Sequence, residues 1–188
     1  MIRHGESQDN ISKVFGTYET KLSKKGIEQI KVTKKNLEEY NFSKVYYSPL
    51  IRTRETLKYL ELEGMEEERI KEYDFGIFSG LNNEMIVKQY PLEYEKWIKE
   101  HNTFVIPQGE SLEGVYNRVK EFLEELVQQD EDVLLVTHAG VIRLAFCWVF
   151  DNIDHFFRFK VENGSINIIA IEDNYKFIKK ANYTPRLK

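Results

Sequence analysis

The sequence predicts an α/β fold, a three-layer α/β/α sandwich around a mostly parallel, doubly wound central sheet. Three observations predict it. Short β-type runs at Met1–Arg3, Lys44–Tyr47 and Asp132–Val136 are each followed by helix-forming sequence, closely in the last two cases and after a loop in the first. Val133-Leu134-Leu135-Val136 is uninterruptedly apolar, the mark of a strand buried on both faces of a parallel sheet. A length of 188 residues suits one well-buried domain, 1–188, and is short for two.

Composition narrows the function classes. Hydrophobic content of 41% with 31% charged residues is that of a soluble globular chain, and no repeat or low-complexity tract interrupts it. A net charge of -4 gives no general footing for nucleic acid or an anionic membrane, so a phosphate site must be a local positive pocket. The first residues reach a polar, charged motif at once, unlike a secretory signal, and the longest apolar stretch, Val133–Phe150, carries His138 and Arg143 in its middle, unlike a membrane span. A cytoplasmic protein is expected. The single Cys147 among apolar neighbours reads as a buried core thiol. Eight arginines against nineteen lysines make an arginine inside a motif informative, since a generic surface cation here is usually lysine.

The first element ends in Arg3-His4-Gly5, a fixed cation beside a nucleophilic imidazole and a glycine that permits a tight turn. That is chemistry for an anion such as a phosphoryl group. The longer reading, Arg3-His4-Gly5-Glu6-Ser7-x-x-Asn10, resembles the signature of the histidine phosphatase superfamily, the phosphoglycerate-mutase-like phosphatases. Only Met1 and Ile2 precede Arg3, whereas a strand usually has about five residues. A stub of a strand in mid-sheet is therefore expected, along with a natural start a few residues upstream.

Phe15-Gly16-Thr17-Tyr18 reads as a loop, and Leu22-Ser23-Lys24-Lys25-Gly26 leads into a helix capped by Ser23, with Ile27, Ile30, Leu37 and Tyr40 near one face. The resemblance continues through this glycine loop. The strand Lys44–Tyr47 ends at Ser48-Pro49-Leu50-Ile51-Arg52, where Pro49 sits at a helix start and Arg52 in the first turn. By resemblance Arg52 is the second phosphate arginine; Arg54 reads as a surface residue. Glu72 opens a loop through Gly76 and Gly80, and by resemblance it is the proton donor; Phe78-Ser79-Gly80 departs from the Trp-Glu-Gly of many relatives, which bears on substrate contact.

Residues 83–100 read as helical, broken at Pro91, and resemble the segment that covers the pocket in such phosphatases. Gly109-Glu110-Ser111 resembles a pocket-edge loop, with Ser111 capping an amphipathic helix that ends near Gln129 and carries Val115, Val119, Phe122 and Leu126 inward. His138 follows the buried strand, where open α/β sheets hold their ligands, and Val141–Phe150 reads as a buried helix. His101 and His155 match nothing and read as ordinary surface or helix residues. Ser165–Glu172 and Tyr175–Lys180 read as a hairpin around Asp173-Asn174.

The resemblance spans Arg3 to the closing Asn182–Leu187, and it implies an activity. His4 is the nucleophile and Glu72 the acid; Arg3, Arg52, His138, Asn10, Gly16 and Ala139 bind the phosphoryl group. The implied enzyme is a cofactor-independent and metal-independent phosphomonoesterase acting on a small phosphate ester. Length and motif pattern are most similar to α-ribazole-phosphate phosphatases of cobalamin assembly. Broad-specificity sugar-phosphate phosphatases and cofactor-dependent phosphoglycerate mutases are the alternatives. The 28 residues Leu81–Gln108 between the Glu72 and Gly109 motifs are shorter than the mutase insertion and favour a phosphatase. His4 and His138 lack an Asp, Glu, Cys or His partner at ligand spacing, so no metal is expected. Oligomeric state is left open, with a homodimer among the forms allowed.

Overall fold

The buried strand foreseen at Asp132–Val136 is β4 (Val133–Thr137), and the sheet is built outward from it. The computed structural model describes residues 1–184; Pro185, Arg186 and Leu187 of the family-like closing stretch lie outside the described residues. β1 (Ile2–Arg3), β2 (Lys44–Tyr47), β3 (Met65–Glu66), β5 (Ile166–Glu172) and β6 (Tyr175–Tyr183) join it in the order β3-β2-β4-β1-β5-β6. β3, β2, β4 and β1 run parallel; β5 pairs antiparallel with β1, and β6 antiparallel with β5. β1 is a stub in mid-sheet, between β4 and β5.

Register decides where the motifs meet. Arg3 pairs with Thr137 and Tyr47 with Val136, so the carboxyl ends of three adjacent parallel strands finish almost level. His4 N–H donates to Thr137 O at 2.9 Å and Ser48 N–H to Val136 O at 3.1 Å, so the residues that leave these strands start from one edge.

Side-chain alternation on β4 divides the helices into two layers. Leu134 and Val136 face α2 (Lys24–Leu37) and α3 (Ile51–Leu60), packing with Ile30, Leu37, Leu57 and Leu60. Leu135 faces α6 (Leu112–Gln129) and α7 (Ala139–Val149), packing with Val119, Phe122, Val141 and Leu144. Fully burying residues of this size contributes about 1.5–3 kcal/mol each, which is why the outer layers hold. Ser23 and Ser111 cap α2 and α6 through Gly26 N–H and Gly114 N–H, as their positions predict. α1 (Gln8–Ser12), α4 (Asn83–Gln89) and α5 (Pro91–Lys99) complete the helices, with Pro91 separating the last two.

Three sequence expectations need correction. The buried face of α2 is Gly26, Ile30, Thr33 and Leu37; Ile27 is half-buried, and Tyr40 lies beyond the helix, which Leu37 ends in a turn. α7 starts at Ala139 rather than Val141, because Ile142 N–H already reaches His138 O and makes His138 the cap. β6 runs on to Tyr183, since pairing with β5 continues past Lys180 to Ile166.

Candidate active site

A cavity of about 580 Å³ opens at the level carboxyl ends of β1, β2 and β4. Arg3, His4, Asn10, Gly16, Arg52, Glu72 and Ala139 line it. His138 does not reach the wall; it is fully buried behind His4, with ring centroids 5.2 Å apart.

The tautomer of His4 follows from its partners. Its Nδ1 lies 2.7 Å from Gly5 O, a carbonyl that can only accept, so the ring proton sits on Nδ1 and Nε2 keeps its lone pair. Burial, then Arg52, then Arg3, hold the His4 pKa well below 6.5. For His138, Nε2 lies 2.7 Å from Ser48 Oγ, and Nδ1 is buried with no partner. With the Ser48 hydroxyl donating to Nε2, the ring proton sits on Nδ1 and is free to donate. Burial followed by Arg52 and His4 keeps this imidazole neutral as well.

The cations are fixed before any ligand arrives. Arg3 Nη1 donates to Val161 O at 2.6 Å, and burial lowers its pKa to about 10, which leaves it charged at neutral pH. Arg52, in the first turn of α3, donates from Nη1 to Thr17 O at 2.6 Å. That carbonyl is held in turn because Thr17 N–H donates to Asp9 Oδ2 at 2.7 Å, and the Thr17 and Thr20 hydroxyls donate to the same oxygen. A side chain on Gly16 would come within 3.3 Å of Arg52 Nη2, so the bare glycine leaves room beside the guanidinium. Among the described residues, neither Arg3 nor Arg52 has a carboxylate within ion-pair distance. Two unpaired, largely buried guanidiniums are costly to fold around nothing, and their remaining donors suit a bidentate anion.

Asn10 uses Oδ1 to accept from Ser7 N–H and Asn163 Nδ2, which leaves its own amide N–H groups to donate. Ala139 opens α7, where first-turn amides lack intrahelical partners. Glu72 reaches that same helix start. Its Oε2 accepts from Gly140 N–H at 3.4 Å and its Oε1 from Tyr73 N–H at 3.1 Å. A Cβ on residue 140 would overlap Glu72 Oε1, so glycine is what lets the carboxyl group lie there.

The outer wall holds residues that sequence reasoning missed. Arg143 lines it with its guanidinium over the Phe156 ring at 5.5 Å and its Nε buried without a partner. His101, expected to be an ordinary residue, also lines it, 4.7 Å from Phe157 between ring centroids. The scarcity of arginine, and the placing of this one inside a wholly apolar helix, was the signal for Arg143. Nothing local marks His101. Phe15, Phe75, Tyr94, Trp97, Phe156 and Phe157 make the rest of that wall aromatic, with Tyr94 and Trp97 coming from the covering segment. His155 does not line the cavity, and Cys147 is a buried thiol pushed up to about 12 by burial. Among the described residues no group of three or more His, Cys, Asp or Glu side chains could hold a metal ion, and no helix is long and apolar enough to cross a membrane.

The two buried imidazoles predict acid sensitivity of the fold. Both are neutral in the folded chain, whereas the unfolded chain protonates them near 6.5. Stability is therefore full above that pH and is lost as pH falls below it, with a limiting slope of about 1.4 kcal/mol per unit for each histidine. The Met1 amino group and His101, both lowered by burial, add to the fall over this range, whereas the lowered carboxylates Glu67 and Glu110 act only below about 4.5, so the denaturant midpoint should already drop between pH 6.5 and 5. A flat midpoint across that window would contradict the buried, neutral assignment.

The family model for the histidine phosphatase superfamily (branch 1) matches residues 1–184. Phosphoserine phosphatase 1 of Hydrogenobacter thermophilus is 33% identical over 100% of this chain and 92% of its own length. The adenosylcobalamin/alpha-ribazole phosphatase of Salmonella typhimurium is 27% identical over 97% of this chain and 94% of its own. Among solved structures, a putative alpha-ribazole-5'-P phosphatase from Escherichia coli superposes with a TM-score of 0.90 at 24% identity, covering 97% of this chain and 94% of that one, a likeness of fold.

Proposed function

Because the chain belongs to the histidine phosphatase superfamily and is a phosphatase of that superfamily, we propose that it is a single-domain, cytoplasmic phosphomonoesterase that works through a phosphohistidine on His4. The observation that carries the reading is the neutral His4 whose Nδ1–H is spent on Gly5 O, leaving Nε2 as a nucleophile between two guanidiniums. In the first step Nε2 attacks phosphorus in line, the ester P–O bond breaks, and Glu72 gives its proton to the departing oxygen. In the second step the Glu72 carboxylate takes a proton from water, the water oxygen attacks phosphorus, and the N–P bond breaks to return His4 and inorganic phosphate. Arg3 and Arg52 take the charge on the equatorial oxygens, and Asn10 Nδ2 adds a hydrogen bond, while His138 packs behind His4. Gly16 and Ala139 bring backbone close to the same oxygens.

For the leaving group, the aromatic outer wall supports a flat, largely apolar moiety, and α-ribazole 5'-phosphate is the substrate proposed. Phosphoserine is the second reading, favoured by the full-length relative and by Arg143, a cation for a carboxylate. The test is hydrolysis in chelator, as kcat/KM ratios, across α-ribazole 5'-phosphate, phosphoserine, sugar phosphates and p-nitrophenyl phosphate. A ratio of at least about tenfold for the ribazole ester over every other metabolite, some 1.4 kcal/mol of transition-state discrimination, is the expected outcome. A comparable excess for phosphoserine would select the second reading, and near-equal ratios would mark a broad-specificity enzyme. Mutase turnover of 3-phosphoglycerate with catalytic 2,3-bisphosphoglycerate exceeding hydrolysis of every ester would reverse the phosphatase reading.

A further inference from the structure

The loop that carries Glu72 has little regular structure of its own; a single 3-10 turn, Glu68–Ile70, precedes it. Four successive carbonyls, those of Arg69, Ile70, Lys71 and Glu72, are nevertheless all bonded by side chains from elsewhere. Thr137, the residue before His138, takes Ile70 O at 2.7 Å. Arg118, on α6, takes the other three: Nη1 donates to Arg69 O and Lys71 O, both at 2.8 Å, and Nη2 to Glu72 O at 3.2 Å. The two remaining donors of its fork go to Glu110, Nε to Oε1 and Nη2 to Oε2, both at 2.9 Å. A guanidinium has five N–H groups, and here each has an acceptor.

Glu110 in turn ties the far side of the same loop. Its Oε2 accepts from Asp74 N–H at 3.1 Å, and its own N–H donates to Asp74 O at 3.0 Å. Below it, Gly76 adopts φ +46, and a Cβ there would overlap Pro107 O, so the two loops lie against each other without side chains between. A pair kept for its charges alone would need only the two bonds to Glu110. Arg118 instead spends most of its fork on the backbone beneath Glu72.

We propose that Arg118, oriented by Glu110, is a positioning residue that fixes the Glu72 carboxyl relative to His4 and Gly140 for proton transfer to the leaving oxygen. This rests on the reading of Glu72 as general acid. Lysine at 118 keeps the charge but offers a point donor in place of a planar fork. Displacement of a catalytic group by about 1 Å costs up to roughly 10²-fold, and a displaced acid is missed most where the leaving group is poor.

The experiment compares kcat/KM, which reports formation of the phosphohistidine and not the hydrolysis shared by all esters, on an alkyl phosphate and on p-nitrophenyl phosphate for wild type, Arg118→Lys, Glu72→Gln and the double variant. Arg118→Lys is expected to lower the alkyl-to-nitrophenyl ratio by about tenfold or more. Added to Glu72→Gln it should leave that ratio where Glu72→Gln alone puts it. Equal losses on both esters, or a further fall in the double variant, overturn the proposal. If Glu72→Gln itself lowers both esters equally, the general-acid reading fails first and independently. Should Arg118→Lys not fold, Glu110→Gln serves, because an amide cannot accept from Arg118 Nε, Arg118 Nη2 and Asp74 N–H at once. The same selective loss is expected there, and an unchanged ratio would be equally fatal.

Discussion

A His4→Ala enzyme is expected to lose on the order of 10⁴-fold or more in kcat on every ester, because among the described imidazoles that line the cavity His4 is the one that feels both Arg52 and Arg3, whereas His101 sits on the outer wall. The neighbouring His138 cannot substitute. Its Nε2 is bonded to Ser48 and its Nδ1 lies behind the wall rather than on it. Wild-type enzyme quenched during turnover of a labelled ester should carry acid-labile, base-stable label, and the variant should carry none. Label that persists in His4→Ala would refute the nucleophile. Folding should survive the change, since the Arg3 and Arg52 contacts to Val161 and Thr17 do not pass through the imidazole.

Replacing Glu72 by Gln should cost within the roughly 10² to 10⁴ of acid-base catalysis in kcat/KM on an alkyl phosphate, and much less on p-nitrophenyl phosphate, whose leaving group needs little protonation. Gly140→Ala supplies a subtler version of the same result. The new methyl group meets the far end of the flexible Glu72 side chain, which swings aside cheaply. Alanine also favours the helix by up to about 1 kcal/mol over glycine. The melting temperature of Gly140→Ala should therefore hold or rise while its activity on alkyl phosphates falls. Parallel loss of stability and of activity on both esters would show that residue 140 supports the fold and not the acid.

The strands that carry the site were legible because each is a short run read by its neighbours. Val133–Val136 had to be buried on both faces, and Ser48-Pro49 had to end one element and begin another. Arg3, His4 and Arg52 stood out for the same reason, as chemistry-bearing side chains at the ends of such runs, whereas Glu72, in a loop, was marked by the family resemblance alone. The caps at Ser23 and Ser111 needed only the local backbone. Periodicity failed where a helix met a specific neighbour: α7 begins two residues before its apolar run, since His138 can close its first turn.

Residue types and strand ends were thus set within a few residues of sequence; they pointed to an anion such as a phosphoryl group, and the family resemblance of the motifs gave the reaction class. Tertiary packing alone decided that His138 stands behind His4, that His101 and Arg143 reach the cavity from separate elements, and that Arg118 grips the Glu72 loop from 46 residues away. Such contacts depend on register and layer order, here the level ends of β1, β2 and β4 beneath α6 and α7, and no periodicity along the chain encodes the distance between two surfaces that meet only after folding.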